Sequence, residues 1–260
     1  MARESISPPS SLHGRFITFE GIDGCGKTTQ ARLLAERLKG MNYPVLTTRE
    51  PGGTEIGQSI RKILLDIQHT GMAPECELLL FLGDRVQHLV EVIRPKMKQG
   101  DVVICDRYHD ATVAYQQYGR NLDLDAFRPL ITNHIRPEPD LTFWIDITVE
   151  QSLERTLPRH GELVEGIRKP IEEQGDAPSR ASQSVRQVNL DLQLAMPLEN
   201  PEASQSRLDL EYRAFHERVR DGYRSIADAN PKRVVRIDGT PPTEAVHEAI
   251  WSVLSQRFAL

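Results

Sequence analysis

An apolar run that breaks into a glycine turn and resumes as a helix narrows the choice of folds more than any other feature of this chain. Phe16 to Leu38 reads FITFEGIDGCGKTTQARLLAERL. Within it, Gly21-Ile22-Asp23-Gly24-Cys25-Gly26-Lys27-Thr28 fits G-x-x-x-x-G-K-S/T, the pattern of a phosphate-binding loop. Glycines open backbone angles closed to other residues and let a ligand approach the main chain. The N–H groups of such a loop, and those that open the following helix, face inward and favour a polyphosphate. Lys27 is expected on the β- and γ-phosphates and Thr28 on Mg²⁺, with the whole stretch to Thr29 lining the nucleotide. The motif specifies a nucleoside triphosphate and leaves the reaction open. It does not explain Asp23, a carboxylate placed inside a loop built for anions.

The remaining text supplies a sheet around that loop. RFITFE, YPVLTTRE, DVVICDR, PDLTFWIDI and KRVVRIDG read as strands, with helical patterns such as TEIGQSIRKILLD between them. Strands alternating with helices predict an α/β fold, a five-stranded parallel sheet with helices on both faces. One long helix is expected from Glu75 to Met97, and a last one from Thr243 to Phe258 with Val246, Ile250, Val253 and Leu254 on one face. Residues 1–14 read as a disordered tail and 15–260 as a single domain. Residues 164–205 have no aromatic residue and many Ser, Gln, Glu and Pro, so they read as a largely disordered insertion.

Composition excludes some roles. A formal charge of -5 over 260 residues argues against a general nucleic-acid binder. Three unpatterned cysteines, Cys25, Cys76 and Cys105, suit a reducing cytoplasm and no metal cluster. No stretch reads as a secretory signal or a membrane span.

Other candidate residues gather at the strand ends. DVVICDR delivers Asp106, placed to orient Mg²⁺, and Arg107, facing the phosphates; by itself this pair would read equally well as a solvated ion pair. Arg49 and Glu50 close the second strand at the same edge, before PGGT. Lys27, Arg49 and Arg107 in one crevice suit two phosphorylated substrates better than one. Phe81 and Arg85 share a helix face and could stack on and hydrogen-bond a heterocyclic base, although an aromatic in LLLFL also fits a core.

Taken together, FEGIDGCGKTTQ, TREPGGTEIGQSIR, ELLLFLGDR, CDRYHDATVAYQQYGR, PDLTFWIDI and RLDLEYRAFHERVRDGY resemble the bacterial thymidylate kinase family, from about Arg15 to Phe258 apart from the insertion. The resemblance implies phosphorylation of dTMP to dTDP by ATP with Mg²⁺, in the supply of dTTP, by a cytoplasmic homodimer that binds neither nucleic acid nor membrane. It implies that Asp23 binds the sugar 3′-hydroxyl, that Phe81 stacks on thymine, and that Arg85, Thr112 and Gln116 line the base pocket. Tyr115 would crowd the 2′ position. Arg49, Arg61 and Arg107 would hold the acceptor phosphate, with Glu50 and Asp106 near the metal. Two departures stand out: Ala111 replaces a usual serine, and the insertion splits a lid whose candidate catalytic arginines are Arg155, Arg159 and Arg207. The rival readings are another nucleotide or deoxynucleoside kinase, and a nucleotide-gated binding protein. A GTPase is disfavoured because the chain has no N-K-x-D guanine motif.

Overall fold

The computed structural model describes residues 12–69, 71–156 and 213–260. The insertion at 164–205 therefore lies outside the described residues, as do Arg159 and Arg207. Five strands, β1 (Phe16–Glu20), β2 (Val45–Arg49), β3 (Val102–Asp106), β4 (Leu141–Asp146) and β5 (Val234–Asp238), form one sheet in the order β2-β3-β1-β4-β5. All four pairings are parallel. The strands sit where the apolar runs placed them. Every residue of β1 and β4 is buried, as a sheet covered on both faces requires.

Alternation along the central strands sends side chains to two cores. Ile17, Val102 and Ile104 join Leu34 and Leu38 of α1 (Lys27–Gly40) and residues of the C-terminal helix on one face. Phe16, Val103 and Cys105 join Leu78, Leu82, Leu89 and Ile93 on the other. Fully burying such a side chain contributes about 1.5–3 kcal/mol. These central strands are thus a rigid base for the loops at their carboxyl ends.

The connection from β1 leads to β2 on one side, and that from β3 leads to β4 on the other. The adjacent ends of β1 and β3, with Phe19 opposite Asp106, consequently flank the point where the winding reverses. Ligands bind at such a crevice in open α/β sheets. The phosphate loop follows β1, and Asp106-Arg107 closes β3 at the same place.

The helices are α2 (Glu55–Leu65), α3 (Pro74–His88), α4 (Arg94–Lys98), α5 (His109–Thr112), α6 (Arg128–His134), α7 (Val149–Thr156), α8 (Arg213–Ala229) and α9 (Thr243–Phe258). The long helix expected over Glu75–Met97 is interrupted by a π turn at Leu89–Ile93. Pro95 then sits in the first turn of α4, where its missing N–H costs least. A second π turn, Val113–Gly119, continues α5. The last helix has its expected bounds, with Val246, Ile250 and Leu254 buried and Val253 packed beside them.

Residues 1–11 of the expected tail lie outside the described residues, and 12–14 are described. Leu12 is buried in the core and Gly14 N–H bonds the carbonyl of Gly100 at 3.0 Å, so residues 12–14 belong to the fold. A single buried leucine in an otherwise polar stretch gave too little pattern to show this. No described helix is long and apolar enough to cross a membrane.

Candidate active site

The phosphate loop is shaped by its glycines. Gly26 caps α1 at φ 99° without a side-chain cap, and the first turn carries no acidic residue. Its N–H groups are therefore available to an anion. A Cβ on Gly21 would lie 2.4 Å from the Ile145 carbonyl oxygen, so no larger residue fits where the loop leaves the sheet. Lys27 folds back over the loop, donating from Nζ to Ile22 O at 2.9 Å. The Thr28 hydroxyl donates to a carboxylate oxygen of Asp106. Cys25 is buried beneath the loop, and burial raises its thiol pKa.

Asp23 is tied to two residues outside the loop. Its Oδ1 accepts from Arg107 Nη2 at 2.5 Å and its Oδ2 from the Tyr115 hydroxyl at 3.2 Å. Burial pushes its pKa up, but the charges of Arg107 and then Lys27 win and hold it well below the usual carboxylate range. Arg107 is a non-glycine residue at φ 68°, an uncommon backbone state that the surrounding bonds must hold. Its Nη1 donates to Gly21 O at 3.1 Å and to the Tyr223 hydroxyl at 3.3 Å, and its guanidinium lies over the Tyr115 ring.

Tyr223 in turn donates to Glu20 Oε2 at 2.9 Å, while Glu20 Oε1 accepts the N–H groups of Tyr108 and Ala111. Burial, then the nearby charge of Asp110, push the Glu20 carboxyl up to about 7. The chain Glu20–Tyr223–Arg107 ties β1, α8 and β3 together around the guanidinium.

The facing stripes of α3 and of α5 with its π turn are joined by side-chain hydrogen bonds into a second group of candidate residues. On α3, Glu77, Phe81 and Arg85 recur every four residues; opposite them stand Thr112, Gln116 and Arg120. Arg85 is buried and donates to Glu50 Oε2 at 2.6 Å, Thr112 Oγ1 at 2.7 Å and Tyr108 O at 2.9 Å. Gln116 Nε2 donates to Glu77 Oε1 at 2.9 Å. Between these ties Phe81 is half-buried and Tyr115 is buried.

Glu50 also holds His88, whose Nδ1 lies 3.0 Å from Glu50 Oε1. The carboxylate only accepts, so Nδ1 carries the proton, and Nε2 meets the Thr48 hydroxyl at 2.7 Å. Both Glu50 oxygens are engaged, one by Arg85 and one by His88, so among the described residues its contacts are to the supports of the acceptor side. Asp84 adds a further carboxylate beneath the Pro51-Gly52-Gly53 turn, accepting the Gly52 N–H at 3.0 Å. Burial and the charge of Glu50 raise it to about 6. That turn positions Arg61, which donates to Pro51 O at 3.0 Å. Burial, followed by the positive charges of Arg49 and Arg107, lowers the pKa of Arg61. Arg49, Arg61 and Arg107 thus form one cationic group beside the phosphate loop.

Of the lid candidates, Arg155 is described. It stands on α7 against the loop, donating to Gly24 O at 3.4 Å and Gly239 O at 3.1 Å. Beside it opens a polar crevice of about 410 Å³ lined by Asp146, Gln151, Arg220, Arg236 and Thr240. Sequence reasoning missed Glu20, Glu77, Asp84, His88 and Tyr223. For Glu20 there was a signal: a carboxylate ending a strand otherwise built of Phe, Ile and Thr. For the others, partners distant in sequence define the role.

A phosphate loop, a cationic cluster beside it, and buried aromatic and hydrogen-bonding groups between α3 and α5 fit a phosphate-loop kinase whose acceptor is itself a nucleotide. The comparisons with known proteins agree. The family model for thymidylate kinase matches residues 19–175. A thymidylate kinase from Nostoc sp. is 39% identical over 248 residues, covering 94% of this chain and 97% of its own. One from Roseiflexus castenholzii is 40% identical, with 94% of both chains covered. The crystal structure of thymidylate kinase from Ehrlichia chaffeensis superposes with a TM-score of 0.63 at 32% identity, covering 94% of this chain and 99% of that one. The chain belongs to the thymidylate kinase family.

Proposed function

We infer that this protein transfers the γ-phosphoryl group of ATP to dTMP, giving dTDP for nucleotide biosynthesis. The observation that carries the reading is Asp23. It is ionised and held by Arg107 and Tyr115, both outside the phosphate loop. There it accepts from a sugar hydroxyl, while Tyr115 fills the space a ribose 2′-hydroxyl would need. The base lies against Phe81 within reach of Arg85, Thr112 and Gln116. Arg49, Arg61 and Arg107 take the acceptor phosphate.

The acceptor oxygen is already ionised at neutral pH, so the transfer needs no strong general base. The work is alignment and charge neutralisation. The loop N–H groups and Lys27 hold the donor phosphates, and Arg107 lies between donor and acceptor, fixed from three sides. Arg155 is placed at the donor edge of the loop; Arg159 and Arg207 remain candidates from the sequence. The hydroxyl and carboxylate of Thr28 and Asp106 are hard oxygen donors in contact, a set that fits Mg²⁺. Bound there, the ion would neutralise charge on the transferring phosphates.

We also propose a homodimer, supported by an apolar stripe on α2 and α3, and a cytoplasmic location, where ATP and dTMP meet. The test is a coupled assay of ADP release with each nucleoside monophosphate in turn. dTMP is expected to give by far the highest kcat/KM. Turnover of ATP that is independent of any acceptor would instead support a nucleotide-gated binding protein.

A further inference from the structure

Gln116 ends in an amide whose two faces have opposite chemistry, and something must decide which end meets the base. The deciding contact is on α3. Gln116 is 1% exposed, and its terminal nitrogen lies 2.9 Å from Glu77 Oε1. Glu77 is also 1% exposed and is paired with the Arg120 guanidinium, whose Nε and Nη2 approach it at 3.3 and 3.2 Å. A carboxylate held in an ion pair only accepts hydrogen bonds. The amide must therefore turn its N–H toward Glu77. Its carbonyl oxygen is then the end left for a ligand.

We propose that Glu77 is a specificity-determining positioning residue: it locks the amide of Gln116 with the carbonyl toward the base, so that the pocket accepts a ring N–H and rejects a ring nitrogen lone pair. This rests on the reading that Gln116 lines the base pocket. Thymine carries N3–H, a donor, beside the acceptor O4. Cytosine carries an unprotonated N3, an acceptor, beside a donor amino group. Opposite Gln116, Arg85 supplies only donors, and Glu50 and Thr112 fix its guanidinium. One donor-only group and one oriented acceptor match O4 and N3–H of thymine. Both clash with cytosine. Each half of this recognition is set by a buried carboxylate on the side away from the ligand, Glu50 for Arg85 and Glu77 for Gln116. A site of this kind discriminates strongly because the wrong ligand leaves buried polar groups unpaired.

Glu77→Gln keeps the shape but can donate as well as accept, so it releases the lock on the amide. We expect the ratio of kcat/KM for dTMP over dCMP to fall about tenfold or more. Glu77→Gln combined with Gln116→Glu exchanges the pair. It restores one donor and one acceptor across the contact, keeps a negative charge for Arg120, and again presents only oxygen to the base. The exchanged pair should recover most of the preference for dTMP, and it provides the test if the single variant does not fold. Thermal unfolding accompanies both. An unchanged ratio in folded Glu77→Gln overturns the proposal, as does an exchanged pair that folds and is no more selective than the single variant. Gln116→Ala separates the two levels of the argument. If it leaves the KM for dTMP unchanged, the placement of the base pocket fails; if it raises that KM while Glu77→Gln keeps its selectivity, only the role of Glu77 fails.

Discussion

Lys27 and Glu20 sit at opposite ends of the same strand-to-loop connection and carry opposite electrostatic burdens. Lys27 is nearly buried, with Ile22 O as its polar anchor, so its charge is directed at whatever fills the loop. Lys27→Ala should leave the fold intact and lower kcat by about 10²–10³, the cost of losing one preorganised electrostatic contact to the transferring group. Steady-state kinetics beside thermal unfolding checks this, and near-normal turnover in a folded variant rejects the assignment. Glu20 has the reverse problem, because burial favours its neutral form up to about pH 7. A carboxyl raised from 4.5 to about 7 on folding binds more protons folded than unfolded. Its contribution is fully present below about pH 4.5 and lost as pH rises through about 7. Glu20→Gln removes that titration and keeps the shape. The fall in unfolding free energy between about pH 4.5 and 7 should become shallower by up to about 3 kcal/mol. Chemical denaturation at a series of pH values measures it; an unaltered slope shows that Glu20 titrates normally.

At the scale of elements, α3 performs two tasks on one face. Its positions 78 and 82 close the core under the sheet, while 77, 81, 84, 85 and 88 face the acceptor pocket or its supports. Arg85→Ala should raise the KM for dTMP by about ten- to a hundredfold and leave that for ATP unchanged. It should also cost about 3–5 kcal/mol of stability, since Glu50 would stay buried without its cation. A change in ATP affinity would put the base pocket elsewhere. This double use explains what could be read beforehand. The five strands were legible because each is a short apolar run bounded by turn residues, and the phosphate loop because its spacing is fixed by the anion. Phe81 and Arg85 were visible as a pair on one helix face. Glu77 and His88 were not, because a buried polar residue in an amphipathic helix looks like any other polar position until its partner is known. Those partners, Gln116 for Glu77 and Glu50 with Thr48 for His88, come from distant elements. The π turns were hidden for a similar reason: an inserted residue leaves composition unchanged and merely shifts which positions face inward.

For the whole molecule, the distribution of exposed apolar side chains is uneven. Of the six large hydrophobic residues exposed among the described residues, four fall on α2, α3 and the π turn that extends α3: Ile56, Ile63, Leu79 and Val90. Ile56 and Ile63 are seven apart and share a face of α2. Leu79, Gly83, Val86 and Val90 follow one line along α3 and its extension, and a Cβ at Gly83 would meet open space. The opposite face of α3 is already committed to the core and the acceptor pocket. An apolar line left to solvent on the helix that holds Arg85 suits a second copy of the same chain, because a twofold axis brings like against like. Leu79→Glu and Val90→Glu together would set charges against their own symmetry mates and desolvate them without partners. They are expected to convert the proposed dimer to a monomer in sedimentation velocity at micromolar concentration, with far-ultraviolet circular dichroism unchanged. Because α3 also carries Phe81 and Arg85, the monomer should show a raised KM for dTMP, while Lys27, on the helix that packs against the opposite face of the sheet, keeps its affinity for ATP. A parent protein that already sediments as a monomer would reject the homodimer, and a dimer that survives both charges would place the interface on another face.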